Sequence, residues 1–290
     1  MKSITLFGVK MLSIKVENFA EAYQEILDCV FNNFDYECSP RDQRIREILN
    51  FGITIQNPYS NLFLNPKRCI PLDYLANELI LYFSGTNDLA YYAKASSFWN
   101  KIANDDGTVN SAYGTLIFVE ENIDNITQWD WAFEQLVKDK DSRQAVMHFN
   151  KPHHQKDGIK DFPCTLDVQF FIRHDMLHMT THMRSNDVIK GVTFDFPFFM
   201  ILQQCMLVKL QMTYPNLEMG NYNHLSGSMH AYENDFELIK EMLKETFYPS
   251  NTPRVSEDLV LNYNIKEMLV GHDYDGNDDF ITFLEVKKSA

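Results

Sequence analysis

The chain has 290 residues, 45% of them hydrophobic and 13% aromatic, a composition that excludes a disordered tail, a collagen and a small disulfide scaffold. The chain has 26 lysines and arginines and 40 aspartates and glutamates, a net charge of −14. This charge argues against a protein that binds nucleic acid through most of its surface. Five cysteines without a CxxC pair argue against a zinc knuckle and an even disulfide framework, and favour a reducing compartment.

No repeat of fixed period and no glycine-, serine- or proline-rich linker divides the chain, so residues 1–290 are predicted to form a single domain. No stretch approaches the roughly 20 apolar residues that a membrane span needs. The start of the chain also lacks the apolar core and cleavage site of a signal peptide. We therefore expect a cytoplasmic protein.

The first part of the chain is predicted to alternate helices with strands. Residues 18–33 carry apolar side chains at helical spacing behind Asn18, a residue type that caps helices. Residues 39–50 are polar and indicate a loop that leads into a strand. Residues 72–84 predict a mainly apolar helix that ends at Gly85.

The pattern of apolar and polar residues in the middle of the chain predicts a helix and three strands. The helix ends near Lys140, and a strand starts at about Ala145. Apolar and polar side chains alternate over 164–173, and 176–184 has the pattern of an antiparallel partner. With a turn at 174–175, this register places Cys164 opposite Ser185 and next to Arg184.

The remainder begins with an apolar helix over 197–212, started by Asp195 and Pro197. The sequence NHLSGSMHAYEND then indicates a small, polar stretch ahead of a short amphipathic helix. Strand-like pieces and acidic loops follow, including HDYDGNDD. That loop resembles a calcium site only weakly, because its glycine is misplaced and the distal glutamate is missing, so we expect no metal.

Three side chains are candidates for chemistry. Cys164 is a candidate nucleophile, since a nearby Arg184 would stabilise its thiolate; the alternative is an inert core thiol. Glu78 stands among apolar residues and could act as a general acid or base, or it could point outward from its helix. Asp195 could serve as a helix cap.

Several motifs together resemble the thymidylate synthase superfamily. They are PCTLDVQFFIR, MRSNDVIKG and GSMHAYEND in that order, supported upstream by NELILYFSGTNDL, SSFWNKIANDDGTVNSAYG and DSRQAVMHFNKP. Within the superfamily, the chain is most similar to the bacteriophage deoxycytidylate hydroxymethylases. The resemblance covers roughly residues 39 to 236. It implies a three-layer α/β (α+β) fold, in which a mixed sheet packs back to back against its twin in a homodimer.

The resemblance also implies a role for each matching residue. Cys164 corresponds to the nucleophile that adds to pyrimidine C6, with Glu78 and Tyr113 as further catalytic residues. The substrate contacts implied are Arg184, Ser185, His230, Tyr232, Arg41 from a flexible loop, and Arg143 donated across the dimer. The residues implied to line the folate are Trp99, Asp187, Gly191 and Phe194. Among Arg41, Arg44 and Arg46, the sequence leaves open which one reaches the phosphate.

Asp195 occupies the position that discriminates the pyrimidine base. Thymidylate synthases have asparagine there, which matches uracil, whereas a carboxyl group matches the amino group of cytosine. Thr165 after the nucleophile, and the polar C-terminal FLEVKKSA, favour addition of water over hydride transfer. The resemblance thus implies transfer of a one-carbon unit from 5,10-methylenetetrahydrofolate to C5 of dCMP, giving 5-hydroxymethyl-dCMP. The alternatives are a methyltransferase acting on dCMP or dUMP, a CMP hydroxymethylase, and a nucleotide- or RNA-binding regulatory relative.

Overall fold

The structure is a computed structural model that describes residues 4–6, 9–262, 265–269 and 278–288. Residue contacts divide the chain into two compact units, each built from three segments. The first unit comprises Met1–Ile70, Met176–Gln203 and Glu218–Thr252, and the second comprises Pro71–Asp175, Gln204–Leu217 and Pro253–Ala290. The expectation of a single domain over 1–290 stays a prediction.

The described residues form eleven strands. In chain order they are β1 (Ile4–Leu6), β2 (Val9–Val16), β3 (Tyr36–Cys38), β4 (Ile45–Ile55), β5 (Leu62–Leu64), β6 (Val146–His148), β7 (Thr165–Arg173), β8 (Met176–Met183), β9 (Asn186–Asp187), β10 (Glu218–Tyr232) and β11 (Tyr248–Ser250).

The same residues form ten α-helices and four short helical turns. The helices are α1 (Phe19–Asn32), α2 (Leu72–Ser84), α3 (Leu89–Ala95), α4 (Trp99–Ile102), α5 (Tyr113–Phe118), α6 (Gln128–Lys138), α7 (Val192–Gln211), α8 (Phe236–Met242), α9 (Lys266–Leu269) and α10 (Asp279–Lys288). The turns lie at Pro40–Asp42, Pro152–His154, Glu233–Asp235 and Asp258–Asn262.

A mixed sheet forms the centre of the first unit. Its strands follow the order β1-β2-β4-β10-β8, with β3 beside β4 and β9 beside β10. β10 runs antiparallel to β4 and parallel to β8, and β2 runs parallel to β4. Side chains of β10 alternate between interior and surface, and Tyr222, His224 and Ser226 are all buried. The end of this central strand carries His230 and Tyr232.

Helix α1 forms as the sequence predicts and supplies part of the core of the first unit. The side chain of Asn18 accepts a hydrogen bond from the backbone N–H of Glu21 at 3.0 Å, which satisfies one free donor of the first turn. Tyr23 stacks on Phe63 with ring centroids 4.3 Å apart. Its hydroxyl donates to the carbonyl oxygen of Val188 at 2.9 Å, which anchors the helix to the segment before α7.

In the second unit, β6 pairs antiparallel with β7, and α2 packs against α5. Helix α2 ends at Gly85, whose φ of 71° is the left-handed conformation that glycine adopts without a Cβ clash, so the predicted end is confirmed. At Gly114, a Cβ would lie 1.6 Å from the carbonyl oxygen of Tyr82. Glycine at this position therefore allows α5 to approach the end of α2.

The predicted two-residue turn between β7 and β8 is present. His174 and Asp175 have φ of 52° and 54°, and two successive positive φ angles are characteristic of a type I′ turn. The strands that flank it end and begin where the alternation predicts. The pairing of Cys164 with Ser185 joins residues of different units and stays a prediction.

The loop predicted over residues 39–50 is wrong for residues 45–50, which belong to β4. Most of NHLSGSMHAYEND, predicted only as a small, polar stretch, belongs to β10. Each strand lies between two neighbours, so hydrogen bonds to partner strands satisfy the backbone although many side chains are small or polar.

The start of α7 also differs from the prediction. The helix begins at Val192, because the carbonyl oxygen of Gly191 accepts from the N–H groups of Phe194 and Asp195, each at 2.9 Å. Asp195 therefore lies within the first turn and is not the cap, and Pro197 lies inside the helix.

The last part of the second unit is helical where strand-like pieces were expected. The acidic sequence HDYDGNDD falls largely on 270–277, outside the described residues. Within the described ranges, no helix is long and apolar enough to span a membrane.

Candidate active site

Asp195 lies in the first turn of α7 with its carboxyl group turned inward. Asn186 donates from Nδ2 to Oδ2 of Asp195 at 2.7 Å. Burial raises the pKa of Asp195 to about 7; the negative charge of Asp187 adds to the shift, and the hydrogen bond from Asn186 opposes it. Near neutral pH, this carboxyl group can therefore both donate and accept a hydrogen bond.

Gly191 allows the chain to pass close to that carboxyl group. A Cβ at position 191 would lie 2.9 Å from Nδ2 of Asn186 and 3.0 Å from both Oδ2 of Asp195 and the carbonyl oxygen of Asp187. A side chain there would push against both partners of the hydrogen bond between Asn186 and Asp195. The structure thus brings together Asp187, Gly191 and Asp195 of the predicted set.

His230 is placed by the pairing of β10 with β9. It stands opposite Asp187 in the parallel register, and its carbonyl oxygen accepts from the N–H of Val188 at 2.9 Å. The residue is 6% exposed, and burial lowers its pKa, while Asp187 opposes that shift. The imidazole is therefore neutral at pH 7, and its Nδ1 lies 3.4 Å from the carbonyl oxygen of Ser228.

Arg184 and Tyr232 lie near His230, and Ser185 follows Arg184 in the chain. The positive charge of Arg184 contributes to lowering the pKa of His230, and its carbonyl oxygen accepts from the N–H of Ser228 at 3.2 Å. Tyr232 meets His230 edge to face, with ring centroids 5.3 Å apart. Arg184 and Ser185 are half-buried, which leaves them accessible to a ligand.

Of the three candidate arginines near residue 41, two are engaged. Arg44 forms ion pairs with Glu37 at 2.8 Å and with Glu233 at 2.5 Å. Arg46 pairs with Glu37, and its guanidinium stands over three phenylalanine rings. Arg41 is exposed at a positive φ of 53°, and no hydrogen bond or ion pair within the described part of the chain holds its guanidinium.

Glu78 points inward from α2, which decides between the two readings of this residue. It is 9% exposed and accepts hydrogen bonds from the hydroxyls of Tyr74 at 3.1 Å and Tyr82 at 3.4 Å. Burial, and next the negative charge of Glu78, raise the pKa of Tyr82 well above 10, so this phenol keeps its proton. A buried carboxyl group surrounded by phenol donors is suited to organising water or a proton.

Tyr113 and Trp99 belong to the same aromatic cluster of the second unit. Tyr113 stacks on Tyr82 at 5.2 Å and meets Phe149 edge to face at 5.1 Å. Trp99 packs edge-on against Tyr92 at 5.0 Å. Glu78 raises the pKa of Tyr92 after the larger effect of burial. The structure thus brings Glu78 and Tyr113 together through Tyr82.

Cys164 directly precedes β7 and is half-buried, unlike the fully buried Cys29 and Cys205. The chain is fixed on both sides of the thiol. Nδ2 of Asn150 donates to the carbonyl oxygen of Pro163 at 3.4 Å, and the N–H of Phe149 donates to the carbonyl oxygen of Leu166 at 3.0 Å. Cys164 and Arg184 belong to different units, and their predicted proximity stays a prediction.

Arg143 is an exposed residue of the second unit. It lines an open surface cavity of about 560 Å³ together with Trp131, Gln144 and His148, and no other predicted site residue lines that cavity. Its carbonyl oxygen accepts from the side chain of Gln169 at 2.8 Å, whereas the side chain is exposed.

The sequence did not predict the side-chain partners of Glu78, Asp195 and Ser111. Tyr74 and Tyr82 lie four residues before and after Glu78, so helical spacing alone could have placed them on its face. Asn186 stands within the motif MRSNDVIKG, but its contact with Asp195 depends on where α7 begins. Asp161, which binds Ser111, gave no sequence signal.

Comparison with known proteins decides the family. The family model described as thymidylate synthase matches residues 21–280. The chain belongs to the thymidylate synthase family. A solved structure of this family, the thermostable thymidylate synthase A from Bacillus subtilis, has the same fold, with a TM-score of 0.66 and 20% identity over 86% of this chain and 92% of that one. The predicted fold class is confirmed.

Three curated members of the thymidylate synthase family carry names that bear on the reaction. Deoxycytidylate 5-hydroxymethyltransferases from Enterobacteria phages T6 and T4 are each 30% identical over 207 residues, which cover 68% of this chain and 80% of the phage proteins. Deoxyuridylate hydroxymethyltransferase from Bacillus phage SP01 is 26% identical over 229 residues, 74% of this chain and 57% of that protein. The chain is accordingly a one-carbon transferase of this family, whose members use a nucleotide and methylenetetrahydrofolate.

Proposed function

We propose that this enzyme transfers a one-carbon unit to C5 of dCMP and adds water to it, giving 5-hydroxymethyl-dCMP. The observation that carries this proposal is the carboxyl group of Asp195, which has a pKa of about 7 and a side-chain partner in Asn186. Cytosine offers an amino donor at N4 and an acceptor at N3. A carboxyl group that shares one proton with N3 and accepts from N4 matches both.

Asn186 supports this reading because it orients Asp195. Its Nδ2 donates to Oδ2, so Oδ2 acts as an acceptor and a proton is better placed on Oδ1. The carboxyl group then presents one donor and one acceptor in a fixed order. A base with the opposite order leaves groups unmatched, at a cost of about 1–3 kcal/mol for each buried group.

In the proposed reaction, the Cys164 thiolate adds to C6 of the pyrimidine, which makes C5 a carbon nucleophile. C5 takes up the one-carbon unit and loses its proton; water adds to the exocyclic methylene, and the bond between C6 and sulfur breaks. Methylenetetrahydrofolate supplies the carbon at the oxidation level of formaldehyde and leaves as tetrahydrofolate, so no group is oxidised or reduced. Glu78, held by Tyr74 and Tyr82, organises water and proton transfer at the base.

Residues of the first unit are proposed to bind the phosphate and the sugar of the nucleotide. Arg184 and Ser185 bind the phosphate together with Arg41, whose side chain is exposed in the turn at Pro40–Asp42. Neutral His230 and Tyr232 bind the sugar 3′-hydroxyl.

The residues proposed for the folate suit an aromatic co-substrate. Gly191 donates its N–H to the carbonyl oxygen of Asp187 and accepts from Phe194, so these three residues are adjacent, and Phe194 stays half-exposed. Trp99 is proposed as a second aromatic residue that contacts the folate. Stacking on aromatic rings is a common way to bind a flat heterocycle.

We further propose a homodimer in which Arg143 contacts the phosphate of the partner's site. Its side chain is exposed and lines a surface cavity that no other predicted site residue lines. One face of the sheet in the first unit is also only half covered. On that face, Leu225 is 36% exposed, and its register partner His182 is half-buried.

The decisive experiment incubates the purified enzyme with methylenetetrahydrofolate and dCMP, CMP or dUMP, and identifies the base and the folate by mass spectrometry. We expect hydroxymethyl-dCMP and tetrahydrofolate, with dCMP preferred. Cys164→Ala should lose turnover but still bind dCMP in calorimetry. A methylated base accompanied by dihydrofolate, or turnover by Cys164→Ala, would contradict the proposal.

A further inference from the structure

The segment before Cys164 is tied to the segment before Tyr113 by a buried carboxylate. Asp161 is 4% exposed, and its carboxylate accepts from the backbone N–H of Ser111 at 2.7 Å and from the Ser111 hydroxyl. Nδ2 of Asn110 donates to the carbonyl oxygen of the same aspartate at 2.9 Å. Asp161, three residues before Cys164, thus binds the consecutive residues Asn110 and Ser111.

A second connection joins the same two regions from the other side. The N–H of Phe149 donates to the carbonyl oxygen of Leu166, two residues after Cys164, at 3.0 Å. The ring of Phe149 meets Tyr113 edge to face, with centroids 5.1 Å apart. The chain carrying Cys164 is therefore linked to Tyr113 on both sides of the thiol.

The two connections close a ring of contacts. Tyr113 donates its N–H to the carbonyl oxygen of Ser111 at 2.8 Å, so the residue bound by Asp161 is also bonded to Tyr113. The contacts run from Asp161 through Ser111 and Tyr113 to Phe149 and Leu166, and back along the chain through Cys164. A closed ring leaves the thiol less freedom than a single contact would.

The chemistry of the contact suggests a reason for aspartate. A buried carboxylate loses its hydration, and this loss is offset here by two donors from one residue. Two bonds to one residue fix both the distance and the direction of approach, which a single neutral hydrogen bond does not. Asp157, four residues earlier in the same loop, is exposed, so the loop also contains an aspartate without this constraint.

We propose that Asp161 is a positioning residue that, through Ser111, sets the place of the Cys164 thiol relative to Tyr113. The proposal rests on the proposed function insofar as Cys164 is the nucleophile. Asp161 itself contacts neither substrate; it acts on the angle and distance at which the thiolate meets C6. Small displacements of a reacting group lower the rate steeply, whereas nucleotide affinity depends on other residues.

The test uses Asp161→Asn, Ser111→Ala and Ser111→Thr, with Asp157→Asn as the matched control. For Asp161→Asn and Ser111→Ala we expect kcat to fall about tenfold or more, with KM for dCMP changed less than about twofold. Ser111→Thr keeps the hydroxyl and the backbone N–H, and should retain most of kcat. Asp157→Asn should match the wild type.

A second readout does not depend on turnover. Iodoacetamide alkylation without substrates, followed by peptide mass spectrometry, gives the rate at Cys164 relative to the exposed Cys69 of the same molecule. We expect this ratio to change at least about threefold in Asp161→Asn and Ser111→Ala, and not in the other two variants.

Unchanged alkylation ratios and an unchanged kcat in a folded Asp161→Asn would overturn the proposal. So would equal losses in Ser111→Thr and Ser111→Ala, or a rise in KM that accounts for the whole defect. If the wild type fails to turn over any nucleotide, the proposed function fails, while the alkylation ratios still decide the positioning role. If Asp161→Asn does not fold, the two serine variants decide it.

Discussion

At the scale of single residues, the proposed reaction depends on the protonation of one carboxyl group. Asp195 has a pKa near 7 because burial disfavours its charge more than the donor Asn186 favours it. An asparagine there would keep the shape and the acceptor for Asn186, but would lose the sharable proton. In the proposed function, the surroundings of Asp195 therefore contribute to the choice of base, in addition to the aspartate itself.

Asp195→Asn is expected to move the ratio of kcat/KM for dCMP to that for dUMP by about 10- to 100-fold toward dUMP. The amide accepts from uracil N3–H and donates to O4, whereas cytosine loses its shared proton. Steady-state kinetics with both nucleotides at one pH measure the ratio. An unchanged preference for dCMP would contradict the role of Asp195 in matching the base.

The same substitution has a signature in stability. The pKa of Asp195 rises from 3.8 to about 7 on folding, so folding favours the protonated form. That contribution is complete below pH 3.8 and is lost as pH rises through 7. Asp195→Asn, which carries no charge, should gain on the wild type by about 2–4 kcal/mol between pH 4 and pH 7.5. Urea unfolding at the two pH values measures it, and parallel pH profiles would contradict the shift.

At the scale of elements, the contact between α2 and α5 brings Glu78 to Tyr113. Tyr82, one turn after Glu78, donates to that carboxyl group and stacks on Tyr113. The approach requires glycine at 114, because a Cβ there would overlap the carbonyl oxygen of Tyr82. One glycine thus determines whether two catalytic candidates share a cluster.

Gly114→Ala is expected to lower the free energy of unfolding by about 3 kcal/mol or more, since α5 must move off α2. Gly158→Ala is the control: it has a positive φ of 75° but nothing within 4 Å of the added Cβ, so only backbone strain of about 1 kcal/mol applies. Urea unfolding of both variants gives the difference. Equal losses in the free energy of unfolding would show that the close approach to Tyr82 adds no cost beyond that of an ordinary glycine substitution.

At the scale of the whole molecule, the proposed function requires a dimer to complete the site. Arg143 is exposed and lines a surface cavity that no other predicted site residue lines, while the family is usually dimeric. A phosphate contact donated by a second copy accounts for both features. It also makes activity a property of the assembly, which can be tested by mixing two inactive chains.

Arg143→Ala and Cys164→Ser are each expected to be nearly inactive alone. After mixing in equal amounts, unfolding and refolding together, half of the dimers are mixed, and one of their two sites has both Cys164 and a partner's Arg143. Activity should then recover to roughly a quarter of the wild type. Light scattering should give twice the chain mass of 34.0 kDa. No recovery in mixed dimers would place Arg143 in its own subunit's site or outside the site.

The sequence by itself determined the local features of this protein. The cap of α1 at Asn18, the end of α2 at Gly85 and the turn at 174–175 were predicted because each depends on side chains and φ preferences within a few residues. The family was also readable, because its motifs are spaced along the chain and need no coordinates.

Tertiary structure alone decided the features that depend on distant partners. β4 and β10 are long strands because neighbouring strands pair with them, although residues 45–50 of β4 were predicted as a loop and most of β10 had no predicted strand pattern. Arg41 differs from Arg44 only because Glu37 and Glu233 hold the latter. The pKa of Asp195 reflects burial that no local pattern encodes. Desolvation and pairing are properties of the packed chain, and packing brings together residues that lie far apart in sequence.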